Sequence, residues 1–232
     1  MINKATVQDI DLASKTVLVR DDYNVPFYPA STEIADDTRI RASLPTVRYL
    51  MSQQCRVVLC SHLGRPMGVV VDKLRMAPEE RRLSELLNVP VNRAYDCVGS
   101  QVRALVETLS PGSVILLENL RFHAEEESND PDFAAALAIL ANVYVNDAFG
   151  AAHRSHASTQ GITRFLPSVA GLLMARELEI LGDVLDSPQR PFVAILGGAK
   201  VSDKISVLHK FAATVDTLVI GGGMVATFLR AE

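Results

Sequence analysis

The chain is organised around the stretch Arg190-Pro191-Phe192-Val193-Ala194-Ile195-Leu196-Gly197-Gly198-Ala199-Lys200-Val201-Ser202-Asp203-Lys204-Ile205. Its residues 192–196 form an unbroken apolar run. Such a run, flanked by proline and glycine, predicts a strand that is buried on both faces of a parallel sheet. The two glycines that follow allow the backbone to turn sharply and to approach a ligand closely.

The residues after the two glycines add a helix start and positive charge. Ser202 or Asp203 could cap a helix, and Lys200 and Lys204 lie beside that cap. Backbone N–H groups, the helix dipole and two ammonium groups together favour a phosphate. The spacing differs from that of both the P-loop and the G-x-G-x-x-G turn. An ordinary strand–helix turn with surface lysines therefore stays open at this point.

Composition limits the classes of protein to which the chain can belong. Its 232 residues are 48% hydrophobic, which predicts one or two domains with a sizeable core. The net charge of −4 does not favour nucleic acid or an anionic membrane as a partner. No run approaches the roughly 20 apolar residues of a membrane helix. The three scattered cysteines, Cys55, Cys60 and Cys97, have no metal-ligand spacing and indicate reduced thiols in a cytosolic protein.

Strand-like and helix-like segments alternate along the whole chain. Strands are predicted at 16–20, 56–60, 114–117, 143–145, 192–196 and 217–220. Helices are predicted near 38–51, 77–87, 131–140, 174–185 and 224–230, and through Val207 and Leu208. The alternation predicts a Rossmann-like α/β fold, with a parallel sheet covered by helices on both faces. The charged residues of 77–87 are interpreted as the solvated face of a helix, and Glu125-Glu126-Glu127 as a solvated loop.

The predicted domains are residues 1–170, a connecting helix at 171–187, and the start of a second domain at 188–232. Two strands and two helices cannot close a sheet domain. We therefore expect the second α/β domain to be incomplete in this chain.

Basic side chains follow several strands of the first domain, where the carboxyl ends of parallel strands meet at one edge of the sheet. They are Arg39, His62, Arg65, Arg121 and Arg154. Asp22 and Asn24 follow the first strand and could meet a polar ligand, although both residue types also favour turns for local reasons. Arginine matches phosphate and carboxylate geometry. Two anion sites facing each other would suit phosphoryl transfer between a small acid and a nucleotide. His153 and His156 could suggest a metal pair, but the glycine-containing loop around them makes this a minor alternative.

Several ordered motifs carry a resemblance to a known family. They are Val19-Arg20-Asp21-Asp22-Tyr23-Asn24-Val25-Pro26, Ser61-His62-Leu63-Gly64-Arg65-Pro66, Leu116-Leu117-Glu118-Asn119-Leu120-Arg121-Phe122-His123, Asn146-Asp147-Ala148-Phe149-Gly150, Ala152-His153-Arg154, Gly197-Gly198-Ala199-Lys200-Val201-Ser202-Asp203-Lys204 and Gly221-Gly222-Gly223-Met224. Together they resemble phosphoglycerate kinase from about Thr16 to the last residue. The resemblance implies reversible phosphoryl transfer between 1,3-bisphosphoglycerate and ADP, giving 3-phosphoglycerate and ATP in glycolysis. It further implies a cytoplasmic monomer that works by hinge closure, with no nucleic-acid or membrane partner.

The resemblance also implies roles for individual residues. Arg39 and Lys200 would be catalytic. The acid would be bound by Asp22, Tyr23, Asn24, Arg39, His62, Leu63, Gly64, Arg65, Arg121 and Arg154. The nucleotide would be bound by Gly197, Gly198, Lys200, Lys204, Gly221, Gly222 and Gly223. Mg²⁺ would accompany ATP or ADP, and its protein ligand is expected in the part of the second domain that this chain lacks.

Two departures from the family's pattern qualify these expectations. The missing part of the second domain leads us to expect that this chain alone does not turn over, so a non-catalytic module that binds 3-phosphoglycerate is an alternative. Asp21 stands where the family usually has an apolar residue, on the strand face shared by Val17 and Val19. If that face is buried, we expect Asp21 to be an unpaired carboxylate that destabilises the first strand. A dinucleotide-binding dehydrogenase is a weaker alternative, because the required glycine fingerprint is absent.

Overall fold

The computed structural model describes residues 4–199 and 201–231, without the side chain of Asp203. The chain separates into two compact units, one ending at Leu178 and the other beginning at Glu179. The boundary falls inside the helix Leu172–Asp186, which confirms the helix predicted over 174–185. The three predicted domain ranges themselves remain a proposal. Within the described residues, no helix has the length and apolar character needed to cross a membrane.

The first unit contains a six-stranded sheet in which every pairing is parallel. Its strands are β1 (Thr16–Arg20), β2 (Arg56–Cys60), β3 (Val91–Arg93), β4 (Val114–Leu116), β5 (Val143–Asn146) and β6 (Ser168–Ala170). Its helices are α1 (Thr38–Ser52), α2 (Ala77–Leu87), α3 (Ser100–Glu107), α4 (Ala124–Ser128), α5 (Pro131–Ala138) and α6 (Leu172–Asp186), the last of which continues into the second unit. The elements β3, β6, α3 and α4 were not predicted from the sequence, and the loop predicted at Glu125-Glu126-Glu127 is wrong because these residues lie in α4.

The two faces of this sheet bury two separate hydrophobic cores. Val17 and Val19 lie in one core with residues of α1 and α2. Leu18, on the opposite face of β1, lies in the other core with residues of α3 and α5. This alternation confirms the predicted α/β fold with helices on both faces of a parallel sheet.

The order of the strands, β3-β4-β2-β1-β5-β6, determines where a ligand can bind. The first strand, β1, pairs with β2, and β4 pairs with the other side of β2. The next strand in the chain, β5, pairs with the opposite side of β1. The strand order therefore reverses next to β1. In open α/β sheets, ligands bind beyond the carboxyl ends of the strands at such a reversal.

The second unit contains the parallel pair β7 (Val193–Gly197) and β8 (Thr217–Gly221), with α7 (Ile205–Ala212) and α8 (Met224–Ala231). The prediction that the first of these strands is buried on both faces is wrong, because Ile195 is 78% exposed and Val193 47% exposed. The predicted helix cap is also wrong. A short 3₁₀ turn, Ser202–Lys204, comes first, and Lys204 holds the cap position of α7 without a side-chain hydrogen bond to the helix end.

Two acidic residues that we interpreted as solvated are fully buried. Glu79 lies in the first turn of α2 and Glu126 lies in α4, and both side chains are 0% exposed. Both sit among exposed or half-buried charged neighbours, which gave the sequence pattern its solvated character. The two carboxyl groups differ in their partners: Glu79 has no hydrogen bond to either oxygen, whereas Glu126 accepts hydrogen bonds from Ser158.

Candidate functional site

The loops after β1, β2, β4 and β5 bring the predicted acid-binding residues to one edge of the first unit. Asp22 and Asn24 follow β1, His62 to Arg65 follow β2, Arg121 follows β4, and Arg154 follows β5. Their convergence results from the parallel topology, since every strand ends at the same edge. Arg39 reaches this edge from the first turn of α1.

Arg39 pairs with Asp22 across this edge. Its Nη1 donates to Asp22 Oδ2, with the arginine side chain 50% exposed and the aspartate 16% exposed. The neighbouring Arg41 pairs instead with Asp37, at 2.8 Å from Nε to Oδ1. Only the first of these two arginines is therefore directed towards the strand ends.

Three polar side chains hold the loop after β2. Asn24 Oδ1 accepts a hydrogen bond from the backbone N–H of Gly64 at 2.8 Å, and Arg121 Nη1 donates to the Gly64 carbonyl at 2.7 Å. Asn119 bonds both backbone groups of Leu63, with its Oδ1 3.1 Å from the nitrogen and its Nδ2 2.8 Å from the oxygen. Gly64 has a φ of +61°, and a Cβ there would lie 2.8 Å from Leu74. The turn therefore requires glycine.

His62 is neutral in this structure. Burial, reinforced by the positive charges of Arg20, Arg121 and Arg154, lowers its pKa to about 2. Its Nδ1 lies 3.1 Å from Nη2 of Arg20. Because a guanidinium can only donate, Nδ1 must accept and the ring proton must lie on Nε2. His62 therefore offers an N–H donor rather than a full positive charge.

Arg20 is a member of this cluster that sequence reasoning missed. It ends β1 with its side chain only 1% exposed, and it donates to Ser158 Oγ as well as to His62. Its position on a strand that is buried on both faces was the signal in the sequence. An arginine there must find acceptors inside the protein, because a buried charge is costly without them.

Two of the predicted acid-binding residues, Tyr23 and Leu63, have buried side chains. Tyr23 is fully buried, and its hydroxyl group lies 3.0 Å from both Asp21 Oδ2 and Ser43 Oγ. Leu63 is 2% exposed, with its backbone N–H and C=O bonded to Asn119. These two residues shape the loops that carry their neighbours.

Asp21 is fully buried, so the condition for an unpaired carboxylate is met, but only one of its two oxygens lacks a partner. Its Oδ2 accepts the hydrogen bond from Tyr23, whereas Oδ1 has no partner within the described residues. Burial, together with the nearby carboxyl of Asp147, raises the pKa of Asp21 well above its usual value. Asp147 likewise has one unpartnered oxygen, and both aspartates line a cavity of about 260 Å³ beside Arg39.

Arg121 and Arg154 differ in how strongly they are already engaged. Arg121 is 4% exposed and pairs with Glu127 at 3.1 Å. Arg154 is half-buried and Arg65 is exposed, and neither has an ion pair with a described residue. The cations with most capacity for an incoming anion are thus Arg65 and Arg154.

In the second unit, two glycine turns follow the ends of β7 and β8 and pack against each other. A Cβ on Gly222, whose φ is +66°, would lie 3.2 Å from backbone atoms of Gly198. The backbone N–H of Met224 donates to the Gly198 carbonyl at 3.0 Å. Lys204 Nζ donates to the carbonyl of Gly197 at 2.6 Å, so the ammonium group lies at the end of β7. The predicted catalytic Lys200 lies outside the described residues.

One group of metal-ligating side chains occurs among the described residues, at Asp96, Cys97 and His123. Cys97 donates its thiol proton to the Glu118 carbonyl at 2.9 Å, and burial raises the pKa of that thiol well above its usual value. His123 Nε2 is already 2.6 Å from Asp96 Oδ1. A protonated thiol and a closed His–Asp pair do not form a ready metal site. His153 and His156 are not part of this group.

Comparisons with known proteins identify what the chain resembles. Residues 7–232 match the family model described as phosphoglycerate kinase. The chain is 57% identical to the phosphoglycerate kinase of Moorella thermoacetica and 56% identical to that of Pelotomaculum thermopropionicum. In both comparisons the match covers 99% of this chain and 58% of the relative. The chain therefore spans little more than half the length of these relatives.

Solved structures give the same result. The phosphoglycerate kinase of Coxiella burnetii superposes with a TM-score of 0.86 at 38% identity, over 99% of this chain and 57% of that one. The enzyme of Pyrococcus horikoshii OT3 gives 0.85 at 35% identity, over 98% and 57%.

Proposed function

We propose, from the premise that this chain belongs to the phosphoglycerate kinase family, that its first unit binds 3-phosphoglycerate or 1,3-bisphosphoglycerate. The whole protein would transfer a phosphoryl group reversibly between 1,3-bisphosphoglycerate and ADP. The observation that supports this most strongly is the cluster of basic groups from separate strand ends. Arg121 and Arg154 come from different loops, yet both lie close enough to His62 to lower its pKa.

The geometry suggests a division of labour in binding the acid. Arg65 and Arg154, which lack ion pairs with described residues, would neutralise the phosphate and carboxylate charges. The neutral His62 would donate a hydrogen bond from Nε2. Asn24 and Arg121 would hold the Gly64 turn in place for the ligand. Arg39, held by Asp22, would reach the transferring phosphoryl group.

The second unit would contribute the first part of the nucleotide site. The two glycine turns approach each other so closely that a Cβ at Gly222 would crowd Gly198. Glycine turns of this kind can present backbone N–H groups to a phosphate chain. We assign Lys200 and Lys204 to the phosphates on the basis of the family resemblance. Mg²⁺ would arrive with the nucleotide. The described residues near the glycine turns offer no group of three metal-ligating side chains, so they do not fit a protein-held ion.

Calorimetric titration with 3-phosphoglycerate tests the proposal. We expect the chain to bind the acid, and we expect Arg65→Gln and Arg154→Gln each to weaken binding by roughly tenfold or more, the effect of losing a charge-assisted hydrogen bond. Arg103→Gln, on the exposed face of α3 and paired with Glu107 at 2.8 Å, is a matched control that should bind normally. Equal affinities for all four proteins would contradict the assignment.

A non-catalytic binding module is the second candidate function. It is favoured by the placement of every predicted acid-binding residue in the first unit. Assay with 3-phosphoglycerate and MgATP distinguishes the two functions. Turnover supports a kinase, whereas binding of the acid without turnover supports the module. On either function we propose a cytoplasmic monomer.

A further inference from the structure

A network of buried polar side chains, Glu126, Ser158 and Arg20, connects to His62 through hydrogen bonds. The function proposed above assigns no role to these three residues. Glu126 and Ser158 are 0% exposed and Arg20 is 1% exposed. The first two come from α4 and from the loop after β5. They are separated by 32 residues in sequence, so their contact depends on the tertiary fold.

Glu126 accepts hydrogen bonds from both donor groups of Ser158. The serine hydroxyl donates to Oε1 at 2.6 Å, and the serine backbone N–H donates to Oε2 at 2.9 Å. Because the hydroxyl proton is used on Glu126, the serine oxygen can only accept on its other side. It accepts there from Arg20 Nε at 2.9 Å.

The charge of Glu126 suits this arrangement. Burial acts to raise its pKa, but the hydrogen bond with His156, the charge of Arg20 and the bonds from Ser158 lower it overall. The side chain is therefore an ionised carboxylate. It compensates the buried guanidinium of Arg20 through one intervening hydroxyl group, and neither charge is left isolated in the interior.

Arg20 completes the connection to the ligand site. Its Nη2 contacts His62 Nδ1 at 3.1 Å, and this contact determines that the imidazole proton lies on Nε2. We propose that Glu126 is a positioning residue, which acts through Ser158 to hold Arg20 against His62 and thereby keeps His62 in the Nε2–H form that a ligand oxygen can use. The identity of that ligand rests on the proposed function, whereas the effect on the imidazole does not.

The test reads the histidine ring directly. Proton–nitrogen correlation spectra at neutral pH report the tautomer of each of the five histidines, and loss of one signal set in His62→Gln identifies His62. We expect the unaltered chain to show His62 as a single neutral Nε2–H tautomer. Glu126→Gln leaves one amide oxygen for the two Ser158 donors and removes the charge that compensates Arg20. We expect it to give a second His62 tautomer and about tenfold weaker binding of 3-phosphoglycerate.

Two further variants complete the experiment. Glu125→Gln changes an exposed neighbour of the same residue type, and should alter neither the spectrum nor the affinity. Ser158→Ala breaks the connection at a different point, and should reproduce the effect of Glu126→Gln on His62. It decides the question if Glu126→Gln does not fold.

The inference is overturned if His62 remains a single Nε2–H tautomer in the folded variants, whatever happens to binding. Failure of the unaltered chain to bind 3-phosphoglycerate would count against the proposed function alone, because the spectra still measure the coupling between Glu126 and His62.

Discussion

At the scale of the residue, Glu79 is a buried acid that should make stability depend on pH. Burial raises its pKa to about 8 from the ordinary 4.5, and neither oxygen has a hydrogen bond within the described residues. Between these two pH values the folded chain holds a proton that the unfolded chain has released, so the free energy of unfolding falls as pH rises. We expect Glu79→Gln to remove this loss and to be more stable at pH 7 by on the order of 3 kcal/mol.

Urea unfolding at pH 5 and pH 8 measures the effect. The midpoint of the unaltered chain should fall more between these values than that of Glu79→Gln. Glu80→Gln, at the next position of α2 with a half-buried side chain, is the control and should behave like the unaltered chain. If the midpoints of Glu79→Gln and the unaltered chain change in parallel, Glu79 is ionised in the folded state and the prediction fails.

Asp21 should be destabilising for a related reason. One of its carboxyl oxygens has no partner, while Tyr23 would retain Ser43 if Asp21 were replaced. We expect Asp21→Val to raise the free energy of unfolding by about 1–3 kcal/mol, the cost of an unsatisfied buried group. The gain should be larger at pH 8 than at pH 5, because the raised pKa of Asp21 penalises the folded state increasingly above pH 3.8.

The variant Asp21→Asn separates the two contributions in the same urea experiment. It keeps a polar side chain but does not titrate, so its gain should be smaller and should arise mainly at the higher pH. A lower midpoint for Asp21→Val at both pH values would show that the contact of Asp21 with Tyr23 stabilises the strand.

At the scale of the element, the loop after β2 depends on one side chain from the loop after β4. Asn119 is fully buried and bonds the backbone of Leu63, the carbonyl of Leu74 and the N–H of Arg121. We expect Asn119→Ala to lower the free energy of unfolding by about 3 kcal/mol, because several buried backbone groups lose their partners. The amide of Leu63 should also exchange its hydrogen faster.

Urea unfolding and hydrogen exchange measured residue by residue check this prediction. Asn92→Ala is the matched control, since Asn92 is exposed and makes one marginal side-chain bond of 3.5 Å. Retention of the normal protection at Leu63 in Asn119→Ala would mean that the loop is held by other contacts.

The elements also show what sequence alone could predict. The strand β1 and the helix α2 have apolar patterns long enough to reveal their type. The strands β3 (Val91–Arg93) and β6 (Ser168–Ala170) are only three residues long, and each contains polar residues. They are too short for an alternation of apolar and polar residues to be recognised in the sequence. They are strands because their neighbours in the sheet pair with them.

Some features of the candidate site could likewise be predicted from the sequence, and others could not. The parallel topology predicted that Arg121 and Arg154 would come together, since that depends only on where strands end. The neutral state of His62 and the burial of Glu126 depend on partners distant in sequence. Glu126 is indistinguishable in sequence from the exposed residues on either side of it, so its burial could not be predicted from that pattern.

At the scale of the whole molecule, the two units should differ in stability. The first unit has a six-stranded sheet with a core on each face, whereas the second has two strands and leaves Ile195 78% exposed. A two-stranded sheet with little cover is marginally stable. We therefore expect the second unit to open locally at a much lower free energy than the first.

Hydrogen exchange on the intact chain tests this expectation. Amides of β7 and β8 should exchange well before those of β1 and β2, although both pairs are parallel ladders of the same five-residue length. The strands β1 and β2 each pair with a further strand, β5 and β4, whereas β7 and β8 belong to a two-stranded sheet. A difference in exchange therefore reports both the additional pairing and the burial around the first ladder. Added 3-phosphoglycerate should slow exchange in the first unit while leaving the β7 and β8 amides unchanged. Equal protection of the two ladders would contradict the prediction, because it would mean that the second unit is stabilised as strongly as the first despite its exposed apolar face.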